Sequence, residues 1–142
     1  MTELATDPTA RRRAPRTPSR ATSVTLWTLQ ILVGLFLVVA SAAPKFWGDP
    51  YAIQIFDEIG AGQWFRYVTG AVELAGGLGL MIPRLAGPAA VGLMGFMVCA
   101  AYTQAVVLDQ PTLVITPAII FVIVALIAWG RRESIAAWLP AR

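Results

Sequence analysis

The sequence predicts an all-α integral membrane protein: a four-helix bundle with a short amphipathic helix in the outer loop between its first and second spans. Hydrophobic residues make up 57% of the 142-residue chain and charged residues only 13%, about half the charged share of soluble domains. Four apolar stretches have the length a bilayer crossing needs. Lysine and arginine fall unequally on the two sides those crossings define. A chain this short makes a single domain.

The elements follow in order. Residues 1–22 are polar, with Pro8, Pro15 and Pro18 among Arg11, Arg12, Arg13, Arg16 and Arg20, and read as a disordered basic cytoplasmic tail. Residues 23–130 hold the helical domain. Its first span, 24–43, is an uncharged run of 20 residues. Ala40-Ser41-Ala42 imitates a signal-peptide cleavage site, but signal apolar regions run about 7–15 residues and this run is longer. In the 44–66 connection, PKFWGDP carries two prolines and a glycine and turns the chain. Ala52, Ile55, Phe56 and Ile59 then recur at helical spacing, with Gln54, Asp57 and Glu58 on the other face. That pattern is a short amphipathic helix, read as a connector lying on the membrane surface, with a lid over the bundle as the alternative. Trp47, Tyr51, Trp64 and Tyr67 flank it like an interfacial aromatic belt.

The second span, 67–83, carries one charge, Glu73, and a stripe of Ala71, Ala75 and Gly79 suited to close helix approach. The third, 85–108, is uncharged, with Gly95, Cys99 and Thr103 as a second small stripe. Asp109-Gln110-Pro111 turns into the fourth span, 113–129, where Pro117 lies in the first turns and its missing N–H costs little. Residues 131–142 form a short tail expected on the inner surface. Four crossings put Arg11, Arg12, Arg13, Arg16, Arg20, Arg84, Arg131, Arg132 and Arg142 on one side, and Lys45 and Arg66 on the other. The positive-inside bias therefore predicts cytoplasmic N- and C-termini.

Composition also narrows the chemistry. The chain has no histidine and one cysteine, Cys99. A disulfide within the chain, a CxxC pair, a His/Cys zinc site and histidine-ligated haem are all excluded. The net charge of +3 does not indicate nucleic acid, because five of the eleven basic residues sit in the N-terminal tail. No catalytic residue and no metal site are expected. A redox role would need a bound cofactor such as a quinone, or a partner that carries the chemistry. Cys99, among apolar neighbours, reads as buried and inert.

Glu73 is the exceptional residue. A carboxylate within a span costs several kcal/mol on insertion scales of about 2.5–3.5, so it should face the interior and find a partner. Side chains lean toward the N-terminus of their own helix. Lys45, at the end of the first span, therefore leans into the membrane, while Glu73 leans outward to meet it. Arg66 leans away from Glu73 and, with Asp57, is a candidate for the rim. Tyr102 and Gln104, at a similar depth on the third span, are candidates to complete a polar pocket. The pair can serve as a tie that fixes helix register, or as a ligand or proton site.

The stretch APKFWGDP, followed by FDEIGAGQWFRYVTGAVELAGGLGLMIPRLAG, strongly resembles the DoxX family of small four-helix bacterial membrane proteins. The resemblance runs from about Leu29 to Trp129, and its most specific pieces are Pro-Lys-Phe after the first span and the segment around Glu73. It departs at Gln104, where relatives often carry histidine, so any chemistry resting on that histidine is lost here. The resemblance implies a multi-pass protein of the bacterial cell membrane. It also implies a non-catalytic accessory subunit of a membrane redox or oxidative-stress system, near the quinone pool and beside oxidoreductase subunits or further copies of itself. A small proton-coupled transporter using Glu73 is the first alternative, and an assembly factor for membrane proteins the second.

Overall fold

A computed structural model of the protein describes residues 19–138. Arg11, Arg12, Arg13, Arg16 and Arg142, and most of the expected 1–22 tail, lie outside the described residues. Among those described, every regular element is helical. α1 runs Arg20–Trp47, α3 Gln63–Met81, α4 Ala86–Val107 and α5 Pro111–Gly130. Two short helices, α2 (Pro50–Ile59) and α6 (Arg132–Ala136), follow α1 and α5. α1, α4 and α5 are long and apolar enough to cross a membrane. α3 packs against α1 and α4, and α5 returns from α4 to α1, closing the ring.

Helix limits depart from the sequence expectations for local reasons. α1 begins at Arg20, inside the stretch read as tail, because Ser19 caps it: its hydroxyl accepts from the Thr22 amide at 3.2 Å. α1 also continues through Pro44 instead of turning there. Phe36–Ala42 is wound as π-helix, and its wider turns relieve the clash a proline ring makes with the preceding carbonyls. The chain turns at Gly48, whose φ of 77° suits glycine. Asp49 then caps α2 by accepting from the Tyr51 and Ala52 amides. α3 stops at Met81 because Ile82, before Pro83, is extended.

The core joins Val33 and Leu37 of α1 and Leu80 of α3 to Leu93 of α4 and Val124 and Ile127 of α5. Close approach comes from glycines. A Cβ on Gly77 would lie 2.9 Å from the Gly34 carbonyl oxygen, and one on Gly34 would lie 2.8 Å from that of Gly77. The expected Ala71–Ala75–Gly79 stripe does not make this contact: Ala71 and Ala75 are exposed, and only Gly79 packs tightly, against Ala89. A four-residue step drifts around the helix, so the face toward α1 is Gly70, Glu73 and Gly77. The second stripe is also corrected. A Cβ on Gly95 would meet nothing within 4 Å, and Cys99 is exposed, not buried. Apolar neighbours could not reveal this, because α4 is apolar all round. Cys99 lies two residues beyond inward-facing Met97, about 200° around the axis.

At the end that carries Arg84, Arg131 and Arg132, a second polar group locks three helices together. Gln30 of α1 is fully buried; it donates to the Leu80 carbonyl at 2.7 Å and accepts from Arg131 Nε at 2.8 Å. Leu80 lies in the last turn of α3, so its carbonyl has no partner within that helix. Arg131 also stacks over Trp27, 5.4 Å from the ring centroid. Ser134 of α6 accepts from the Gly87 amide, and Trp138 donates to the Arg84 carbonyl. Gln30→Leu is expected to destabilise the protein by about 1–3 kcal/mol, since it strands a buried acceptor and a buried donor. Equilibrium unfolding in mixed micelles reads this, and an unchanged midpoint would mean the bonds carry no net weight.

Candidate functional site

The site lies at the opposite end, where α1 finishes and α3 begins. Lys45 follows Pro44 in the last turn of α1, and Glu73 sits midway along α3. Lys45 Nζ donates to Glu73 Oε2 at 2.7 Å, with side chains 16% and 7% exposed. Ser41, one turn before Lys45, completes the group. Its hydroxyl donates to Glu73 Oε1 at 2.9 Å, while its carbonyl and hydroxyl oxygens accept from Lys45 Nζ at 2.9 and 3.3 Å. Both carboxylate oxygens and all three ammonium protons are thereby engaged. A buried pair satisfied to this degree is a firm positioning element.

Arg66 is buried at 4% exposure yet meets no carboxylate directly. Nη1 donates to the Lys45 carbonyl, Nε to Gln63 Oε1 at 2.7 Å, and Nη2 to the Tyr67 hydroxyl at 3.0 Å. Its guanidinium also lies 4.4 Å from the Tyr67 ring centroid. Lys45 stands near the C-terminus of α1, so its carbonyl is free to accept and the helix dipole favours a cation there. Gln63 passes the connection on, donating to Asp57 Oδ1 at 2.7 Å and to the Ile53 carbonyl at 3.0 Å. Asp57 itself is exposed on α2. A continuous hydrogen-bonded chain thus runs from α2 through Gln63, Arg66 and Lys45 to Glu73.

Beside the ion pair lies a cavity of about 550 Å³, within the usual range for small-molecule sites of roughly 300–1,000 Å³. Phe36, Leu37, Phe65, Phe96, Met97 and Ile120 supply apolar wall; Ser41, Lys45, Glu73 and Gln104 supply polar groups. Ala52, Ile55, Phe56 and Ile59 of α2 line this cavity, so the apolar face of that helix roofs it. Phe56 packs edge-on against Phe65, with centroids 5.9 Å apart. The cavity is shaped partly by the π-helical Phe36–Ala42 and by a second π stretch, Thr103–Val107, which carries Gln104.

The six sequence candidates therefore separate. Lys45 and Glu73 touch, Arg66 joins them through a carbonyl, and Asp57 joins through Gln63. Gln104 lines the cavity, and its Oε1 is buried without a hydrogen-bond partner. Tyr102 stands apart at 61% exposure. Ser41, Gln63 and the distant Gln30–Arg131 group were not among the candidates. Ser41 and Gln30 interrupt otherwise apolar runs, which is the signal that marks them.

Long apolar helices enclosing a buried ion pair characterise helical membrane proteins. The family model for the DoxX-like family matches residues 28–127, and the chain belongs to that family. No curated protein and no solved structure matches it.

Proposed function

We propose that the protein is a non-catalytic membrane subunit that holds a lipid-soluble, quinone-sized molecule for a membrane redox or oxidative-stress system. The observation that carries this is the cavity of about 550 Å³, apolar over most of its wall and polar at the Ser41–Lys45–Glu73 group. A ring with an apolar tail fits such a lining. The accessory role is supported by the pairing of Glu73 with Lys45 and Ser41, which holds that carboxylate in a structural tie.

In this reading α1, α3, α4 and α5 all cross the bacterial cell membrane, with both termini cytoplasmic and α2 at the outer side. α3 has 19 residues, about 28 Å of helix, close to the hydrocarbon thickness. Its two charges, Arg66 and Glu73, are buried, and its exposed surface includes Trp64, Tyr67, Val68, Val72 and Leu78. The nine-to-two distribution of basic residues supports the orientation.

Purification in mild detergent, followed by mass spectrometry of extracted lipids and copurifying proteins, tests the proposal. A benzoquinone lipid at near one-to-one ratio and an oxidoreductase partner are expected. A protein free of both would sink it. The transporter alternative requires Glu73 to release a proton when substrate arrives, and hence the Lys45 pair to open. Substrate-induced acidification that Glu73→Gln abolishes would favour it over the accessory role.

A further inference from the structure

The cavity is covered at one end of the bundle, clamped at the other and open at one side. Toward the Lys45 end α2 covers it. Asp49 caps the start of that helix, and Gln63 ties its end by donating to the Ile53 carbonyl and to Asp57. Phe56 closes the roof against Phe65. Toward the far end the helices are held together: Leu26 of α1 packs over Gly130 of α5, Gln30 accepts from Arg131, and Leu93 of α4 packs over Gly76 of α3. The side between α1 and α5 differs. Beyond those clamps Phe36–Ala42 packs on α3 with little contact to α5. Phe36 and Ala40 of α1 and Thr116 of α5 line the cavity and are also exposed, Phe36 to 43%. Ala40 adjoins Ser41, so this mouth opens beside the polar group.

In the proposed membrane placement, a gap between two spans faces acyl chains and not water. A cavity of about 550 Å³ encloses one drug-sized molecule: a ring and the start of its chain, but not a long polyprenyl tail. We infer that the ligand is a long-chain amphiphile seated sideways from the bilayer. Its polar head lies by Ser41 and Glu73 under α2, and its tail leaves between α1 and α5 past Phe36, Ala40 and Thr116. The mouth, and not the enclosed volume, then decides which tails are accepted. The inference rests on the proposed reading of the cavity as a site for a lipid-soluble molecule. It adds where the chain goes and which residues border its path.

The test uses the full chain in phosphatidylcholine nanodiscs with two ligands: tetramethylbenzoquinone, and the analogue in which an octaprenyl chain replaces one methyl. Binding is read from the rise in unfolding midpoint as ligand is added, each ligand being compared with itself across variants. The unaltered protein should bind both. Ala40→Trp should weaken the octaprenyl ligand by about tenfold or more, as overpacking of the mouth would, and the tail-less one by less than about threefold. Thr116→Trp, on the facing wall, should do the same and serves if the first variant fails to fold. Cys99→Trp enlarges an exposed lining residue of α4, which does not border the mouth, and should leave both ligands unchanged. Rejection of the octaprenyl ligand by the unaltered protein would overturn the inference and leave the cavity reading standing. So would equal effects of the mouth variants on the two ligands, or selectivity lost through Cys99→Trp in their place. Binding of neither ligand by the unaltered protein would overturn both.

Discussion

Lys45→Met is expected to destabilise the protein by about 3–5 kcal/mol, because it leaves the Glu73 carboxylate buried with only the Ser41 hydroxyl as partner. Glu73→Leu should do comparable damage by stranding the ammonium. The double variant should recover most of the loss, since replacing both partners by apolar groups removes the desolvation cost along with the attraction. Unfolding of all four proteins in mixed micelles gives the coupling energy directly. Single variants whose losses simply add in the double would remove the pair from the account of stability. Exchanging the charges, Lys45→Glu with Glu73→Lys, should rescue only in part. The Ser41 carbonyl accepts from the ammonium at 2.9 Å, and after the swap it would face a carboxylate.

The second large effect belongs to Gly77. Gly77→Ala would put a methyl group 2.9 Å from the Gly34 carbonyl oxygen and 3.0 Å from Val38 Cγ2. Backbone cannot yield there as a flexible side chain would, so α1 and α3 must separate. A loss of about 1–3 kcal/mol is expected from overpacking, together with a displaced Lys45–Glu73 pair. Gly95→Ala is the control, because nothing lies within 4 Å of its Cβ position. It should be neutral, or stabilising by up to about 1 kcal/mol through helix propensity. Thermal denaturation of the two variants side by side checks both; equal behaviour would show that the close approach of α1 and α3 does not govern stability.

The sequence carried some of this and concealed the rest, for physical reasons. The meeting of Lys45 with Glu73 follows from helix direction and side-chain lean alone, because two antiparallel helices send those side chains toward each other. The family was legible in the residues around Pro44 and Glu73. Inward and outward faces were not. In a helix as apolar as α4, hydropathy has no period to read, which hides the outward bearing of Cys99; in α3 a four-residue step drifts around the axis, so the packing expected of Ala71 and Ala75 is performed by Gly70 and Gly77. The α2 pattern was readable as amphipathic, but an apolar face looks the same whether it meets lipid or roofs a cavity. Ser41 was hidden inside an imitation of a cleavage site. The Gln30–Arg131 bond spans most of the chain, and no local pattern announces it.

The π-helical stretch in α1 sets the phase of everything after it. A π turn holds the equivalent of one additional residue within an α-helix. If Phe36–Ala42 were wound as ordinary α-helix, one residue fewer would fill the same rise, and each residue turns the helix by about 100°. Lys45 keeps its bearing on Glu73 only because that surplus is accommodated between it and Gly34, the contact that fixes the helix at its other end. Length variation in this family should therefore gather in the α1–α2 and α4–α5 connections. Within α1 it would be confined to changes that keep the rotational phase between the glycine contact and the lysine.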